Sequence, residues 1–253
     1  MVDFWFVRHG ESSGNAGLRV ESDEQNPLTL KGKQQARYTA NYFDFVPDLF
    51  VISPYHRTLQ TAQPTLDKYP DVPVKTWPIH EYTYLTPEMY AGTTSRQRRR
   101  PSVKYFYAAD PDLSLGVGAE SYNQFMGRIN ACYENIRSST ANSIVLFGHG
   151  WFMRASLWVL YKSKKTQIEK QKFLQQIMAV LPHSKLLLKA TNLLDKKFKR
   201  EMFHFLLFST AVQTPNAGIL QYKYDPDSNE IRVIDFHLKH LPEALRKTTL
   251  SNR

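Results

Sequence analysis

Short apolar runs that stop abruptly at glycine, proline or charge are the clearest periodic signal in this chain. Phe4–Val7 (FWFV), Leu49–Ile52 (LFVI) and Ser143–Phe147 (SIVLF) are too short for helices and suit strands buried on both faces. Val74–Trp77 is a further strand candidate. Between the runs the pattern shifts to helical spacing. Residues 30–45 (LKGKQQARYTANYFDF) form an amphipathic stretch behind an Asn26-Pro27-Leu28 turn and an N-cap at Thr29. Ser53-Pro54 marks the start of a second helix. Ser121 with Gln124 makes a capping box for a third, running to residue 138. A fourth runs from Trp151 to Tyr161. Gly218–Tyr224 and Ile231–Phe236 then read as two strands around the turn cluster Asp225-Pro226-Asp227-Ser228-Asn229, a hairpin. Strands alternating with helices predict a mainly parallel sheet covered on both faces, with the hairpin adding an antiparallel edge.

Two stretches break this rhythm. Residues 82–118 are rich in loop formers and suit a flap over a site. Residues 162–212 are basic, helical in pattern and broken once at Pro182, an insertion or cap rather than a second domain. At 253 residues, 42% of them hydrophobic with 15 Phe and 14 Tyr, the chain has material for one well-packed core. A single domain over 1–253 is expected.

Charge alters the picture more than composition does. The formal net charge is +10, and residues 162–200 alone carry eleven Lys and Arg against two acids. A second basic cluster, Arg96, Arg98, Arg99, Arg100 and Lys104, sits in a loop-like stretch and suggests an acidic or multiply phosphorylated ligand. Any one such cluster is first of all a solvated face. No stacking motif accompanies the charge, so nucleic acid is not expected as a partner. Lys196-Lys197-Phe198-Lys199-Arg200 followed by Met202 to Phe208 resembles an interfacial segment, which makes 196–208 a candidate peripheral membrane contact. A helix packed on the domain with its lysines in water is the favoured reading. The longest apolar run, Met202–Val212, is 11 residues and too short to span a bilayer. Cys132 is the single cysteine, placed within a helix. It excludes an internal disulfide, reads as core and fits a reducing, cytoplasmic setting. Residues 2–7 already read as the first strand, so no leader is expected. Nothing in the pattern sets an oligomeric state.

The candidate chemistry lies where strands end. Phe4–Val7 runs directly into Arg8-His9-Gly10-Glu11-Ser12, and ligands of open α/β sheets bind at such carboxyl ends. Arg8 offers a charged planar fork suited to phosphate. An imidazole such as His9 can attack phosphorus and carry the phosphoryl group. Arg57 falls in the first turn of the helix after Ser53-Pro54, where amides and a guanidinium hold an anion together. Glu81 follows the Val74–Trp77 strand. His149 lies between Gly148 and Gly150 at the end of the Ser143–Phe147 strand. Phosphoryl transfer to histidine needs a nucleophile, cations for the equatorial oxygens and an acid for the leaving alcohol. His9, then Arg8, Arg57 and His149, then Glu81 supply these, with Asn15 a further donor. No cluster with metal-ligand spacing is evident, so neither metal nor cofactor is expected. Glu120 is expected to support the helix it precedes, and His80 to tune Glu81 or to pack.

Arg8-His9-Gly10-Glu11-Ser12 with Asn15, Ser53-Pro54 with Arg57, Glu81 and Gly148-His149-Gly150 together resemble the histidine phosphatase superfamily, the phosphoglycerate mutase-like family, in its first branch. Leu28-Thr29, Gly32, Gln35-Ala36 and Ala119-Glu120-Ser121 match as well. The resemblance covers residues 3–161. It implies a three-layer α/β/α sandwich with the site at the sheet's carboxyl edge. It further implies a histidine acid phosphatase-like phosphomonoesterase acting through a phosphohistidine at His9. Arg8, Asn15, Arg57, His149 and Gly150 would form the phosphate pocket, with Glu81 as proton donor. Two departures stand out. The mutases of the family carry an aromatic segment soon after the first motif, whereas Ala16–Pro27 contains no aromatic residue, which favours a phosphatase over a mutase. The 162–212 insertion is also longer than in simple members. The competing readings are a mutase of small phosphorylated metabolites and a non-catalytic basic scaffold.

Overall fold

In the computed structural model, which describes residues 1–181 and 201–246, six strands form one sheet. They are β1 (Val2–Arg8), β2 (Leu49–Ile52), β3 (Val74–Thr76), β4 (Ser143–Gly148), β5 (Ile219–Asp225) and β6 (Glu230–His237). Their order is β3-β2-β4-β1-β5-β6. β3, β2, β4 and β1 run parallel, and β5 and β6 pair antiparallel beside β1. The three-layer expectation holds, with the C-terminal hairpin as the antiparallel edge.

Strand alternation sorts the core into two layers. Phe4, Phe6, Leu49, Val51, Ile144 and Leu146 face one side. Trp5, Val7, Phe50, Ile52, Val145 and Phe147 face the other. That second face is covered by α1 (Leu30–Tyr42) and α2 (His56–Lys68). After α3 (Pro87–Tyr90) and α4 (Ser95–Ala108), the first face is covered by α5 (Tyr122–Arg137), α6 (Gly150–Ser163), α7 (Gln167–Val180) and α8 (Glu201–Ala211). A short α9 (Glu243–Arg246) comes last.

This arrangement opens a crevice. β1 and β4 are neighbours, with Arg8 in register with Gly148. The chain leaves β1 toward the α1 face and leaves β4 directly into α6 on the opposite face. Adjacent parallel strands whose connections diverge leave a gap at their carboxyl ends, the switch point at which α/β sheets bind ligands.

Several local expectations shift. The first helix stops at Tyr42 rather than 45, because Phe43 turns into extended backbone and Phe43 and Phe45 pack on Trp5 at ring-centroid distances of 6.4 and 4.8 Å. Burying two aromatic rings outweighs a last helical turn. The second helix starts at His56, with Tyr55 at its N-cap position and no side-chain cap; Ser53 is used elsewhere. The 82–118 stretch is not all loop. It carries α4, started by a Thr94–Gln97 capping box and continuing through Pro101, so the Arg96–Lys104 cluster is helical. Tyr105 and Phe106 of α4 are buried, and Phe106 stacks on Trp151 at 5.6 Å. Phe205 of α8 meets the same indole at 5.7 Å. Flap and insertion thus close on one aromatic residue at the start of α6. Met202, Phe205 and Phe208 are in the core, whereas Pro182 and residues 196–200 of the interfacial segment lie outside the described residues. Cys132 is buried and unpaired. No helix among the described residues is long and apolar enough to cross a membrane.

Candidate active site

The turn after β1 is packed so closely that only glycine fits at two positions. A Cβ on Gly10 would lie 2.5 Å from the Gly32 carbonyl oxygen, and one on Gly32 would lie 2.1 Å from that of Glu11. The Gly10 N–H donates to Thr61 Oγ1 of α2 at 3.0 Å. Glu11 N donates to Gln35 Oε1 at 2.7 Å. The 8–12 loop is therefore clamped to both helices of one face, which fixes the backbone of His9. On its other side, the Asn216 side-chain amide donates to the carbonyls of His9 and Gly10 at 3.2 Å and to Asn15 Oδ1 at 2.9 Å.

The two imidazoles meet. His9 and His149 are buried, with ring centroids 5.2 Å apart, and His9 N donates to the Gly148 carbonyl at 3.0 Å. His9 Nδ1 lies 2.6 Å from the Gly10 carbonyl, an acceptor, so Nδ1 carries the proton. Nε2 keeps its lone pair and accepts from Arg57 Nε at 3.2 Å. Burial first, then the Arg57 and Arg8 charges, hold the His9 pKa well below the usual imidazole value, so the ring is neutral. Burial and Arg57 do the same to His149. His149 Nε2 is 2.8 Å from the Ser53 hydroxyl, and its Nδ1 has no hydrogen-bond partner among the described residues. The serine hydroxyl thereby orients the second imidazole, and its conformation follows from that bond rather than from capping a helix.

Three guanidinium groups surround these rings. Arg57 is buried and pairs with Asp23 at 3.2 Å; burial opposes its charge, but Asp23 and Glu81 more than offset this and raise its pKa. Arg8 donates from one terminal nitrogen to the Thr214 carbonyl, while its Nε has no partner among the described residues. Its pKa falls to about 10, through burial and then the neighbouring Arg154 charge. Arg154 donates to Thr214 Oγ1 at 3.3 Å and sits over the Trp151 ring at 5.0 Å. Gly150 makes room for both: a Cβ there would lie 3.1 Å from Arg8 Nε and 3.3 Å from Arg154. Glu81 completes the group. Its Oε1 accepts from Trp151 N at 3.0 Å and Tyr82 N at 3.2 Å, which places it at the amino end of α6. Burial of the carboxyl raises its pKa, against the opposing pull of Arg57 and Arg154. Like-signed groups held this close and this dry form an anion site beside a carboxyl inclined to hold a proton.

The structure therefore brings together Arg8, His9, Arg57, Glu81, His149 and Gly150, with Asn15 joined through Asn216. His80 stacks on Tyr55 at 5.4 Å, and its pKa drops to about 4 through burial and Arg128, so it packs. Glu120 pairs with Arg128 of α5, the helix it precedes, and ties that helix to the 82–118 stretch by accepting from Thr83 N at 2.9 Å. Among the described residues no group of three or more His, Cys, Asp or Glu could hold a metal ion. Sequence reasoning missed Arg154, Asn216 and Asp23. Arg154 had a usable signal, lying four residues after Gly150 on the first turns of the helix that leaves the site. Asn216 and Asp23 had none, since each reaches the site from a loop distant in sequence.

The family model for the histidine phosphatase superfamily (branch 1) matches residues 4–178. A mannitol-1-phosphatase from Eimeria tenella is 38% identical over 80 residues, 27% of this chain and 26% of that protein. A probable phosphoglycerate mutase, GpmB, from Enterobacter sp. (strain 638) is 41% identical over 64 residues, 25% of this chain and 30% of that protein. The matches thus span under a third of either relative. Among solved structures, phosphoserine phosphatase from Entamoeba histolytica, in complex with phosphoserine, superposes with a TM-score of 0.64 at 18% identity, over 96% of this chain and 100% of that one.

Proposed function

The chain belongs to the histidine phosphatase superfamily, branch 1, and from that premise we propose that it hydrolyses phosphomonoesters through a phosphohistidine formed on His9. The observation that carries the proposal is the unprotonated His9 Nε2 under Arg57 Nε at 3.2 Å, with the second imidazole 5.2 Å away. A neutral imidazole whose lone pair is already aimed by a guanidinium needs only a phosphorus atom in place of that contact.

His9 Nε2 attacks the phosphorus, and the bond to the ester oxygen breaks in line with it. With the Ser53 hydroxyl donating to Nε2, His149 presents an Nδ1–H, and this donor with Arg8, Arg57 and Arg154 holds the equatorial oxygens as charge spreads onto them. Three guanidiniums supply the positive charge, and the reading calls for no metal ion. Glu81, whose burial favours the protonated form, gives its proton to the departing alkoxide. The resulting carboxylate then takes a proton from water, whose oxygen attacks the phosphohistidine, restoring His9 and releasing phosphate. Because the acid must be protonated and the nucleophile neutral, activity leans to the acid side, the histidine acid phosphatase-like character expected from the resemblance. The aromatic-free segment Ala16–Pro27 supports release of phosphate over its return to the substrate.

Rapid acid-free quenching with a 32P-labelled ester tests this: label should be trapped on wild-type protein, stable to alkali and lost in acid, and be absent from His9→Ala. Label on another residue, or turnover surviving His9→Ala, would overturn it. Phosphate appearing on a second hydroxyl of the substrate rather than in solution would make the protein a mutase.

A further inference from the structure

Beside the phosphate cluster lies a cavity of about 240 Å³. Two of its lining residues also touch the cluster. The Tyr55 ring is 5.2 Å from the His149 ring, and Asp23 pairs with Arg57. The cavity therefore adjoins the cluster, where the alcohol part of a bound ester would lie.

The charges of its wall are informative. One segment contributes three carboxylates, Glu21, Asp23 and Glu24, and among the described residues the one cationic side chain of the lining is Arg98. Asp23 is balanced by Arg57 and accepts from the Tyr90 hydroxyl at 2.7 Å. Among the described residues, no ion pair involves Glu21 or Glu24. Arg98 is turned aside: its guanidinium lies 3.9 Å from the Tyr90 ring centroid and donates to the Thr93 carbonyl and hydroxyl at 2.9 Å. A second anionic group on the substrate would thus meet carboxylates with no available counter-charge. A quaternary ammonium has no N–H to give these carboxylates, and the ring faces that would otherwise hold it are taken, Tyr90 by Arg98 and Tyr55 by Arg57 at 5.1 Å. What the wall does offer is acceptors for hydroxyl hydrogens, and apolar surface at Leu85 and Pro87 for C–H groups.

We propose that this cavity selects phosphomonoesters of uncharged, polyhydroxylated alcohols and rejects those whose alcohol carries a second anion. The proposal rests on the phosphatase reading above and narrows its substrate. It also reassigns the basic cluster: Arg99 and Arg100 are exposed on α4, and Arg98 serves the wall rather than a polyanion.

The test compares kcat/KM of the full chain for a hexitol 1-phosphate, 3-phosphoglycerate and phosphocholine. The hexitol ester should lead 3-phosphoglycerate by tenfold or more, in the range of one to two well-placed hydrogen bonds to charged groups. In the double variant E21K/E24K, two changes at exposed positions, that ratio should fall about tenfold, mainly through a lower KM for 3-phosphoglycerate. Equal or better use of 3-phosphoglycerate by the wild type, a lead for phosphocholine, or an unmoved ratio in the double variant would each overturn the proposal. Calorimetric binding of the same three esters to His9→Ala gives the ranking without turnover. That ranking alongside an absence of hydrolysis by the wild-type protein would sink the phosphatase reading and leave the cavity's selectivity standing.

Discussion

The two halves of this cleft are built in opposite ways. The phosphate side stands on the ends of β1 and β4, whose backbones are locked in register and whose side chains are buried on both faces. The cavity side stands on two connecting segments, around residues 21–24 and 82–98, held by side-chain contacts such as Tyr90 to Asp23 and Arg98 over Tyr90. A rigid sheet edge can hold desolvated charge at sub-ångström tolerance, which a phosphoryl-transfer site demands. Loops cannot do this, but they can change their lining residues without disturbing the strands, so the proposed discrimination between alcohols falls there. Asp23 joins the two halves: it belongs to the loop side, yet it sets the position and charge of Arg57.

This division can be broken experimentally, starting with the largest effect. His9→Ala should lower kcat by ~10⁴-fold or more while leaving the thermal midpoint near the wild-type value. Residual turnover only tenfold down would place the nucleophile elsewhere. Arg57→Ala should cost about 10²–10³-fold in kcat/KM for every ester, whereas Arg98→Ala should change the ranking of esters with a much smaller loss. Uniform losses from both would erase the distinction between the halves.

Glu81→Gln should reduce kcat about 10²-fold for alkyl esters and far less for p-nitrophenyl phosphate, whose leaving group needs no proton. The pH profile carries a sign. The Glu81 pKa is raised, so the acid loses its proton, and activity falls, as pH climbs through that shifted value. The His9 pKa is depressed, so the nucleophile stays neutral well into acid and the acid limb lies low. The Glu81→Gln profile should lose its alkaline limb; an unchanged one would remove Glu81 from the chemistry. The smallest effect concerns the scaffold. Gly32→Ala puts a methyl into the Glu11 carbonyl and should cost about 1–3 kcal/mol of stability. By differential scanning fluorimetry that is a drop of roughly 2–4 °C for each kcal/mol. An unshifted midpoint would show the 8–12 loop to be looser than described.

Much of the catalytic side was legible before any coordinates. Arg8, His9, Arg57 and His149 each adjoin the end of an apolar run or the helix start that follows it, and buried strands place their ends together. The cavity side was not legible. Residues 96–104 look like loop because arginines and Pro101 mask a helix whose register shows only in buried Tyr105 and Phe106. Glu120 was legible as a support for the helix it precedes, but only packing brings Thr83 onto it as well. Ser53 looks like a cap because it adjoins a helix start and instead holds His149.

The chain's own pattern determined the βα alternation, the hairpin edge and most residues of the proposed site, because periodicity, caps and turn residues act over a few positions. Tertiary structure alone decided that β1 and β4 are neighbours, which brings two imidazoles 140 residues apart to 5.2 Å. It alone added Asn216 and Asp23, and it alone turned Arg98 against a tyrosine. Those contacts are long-range and depend on which face each helix covers. No local periodicity encodes that choice, since it is settled by burying the two core layers at once.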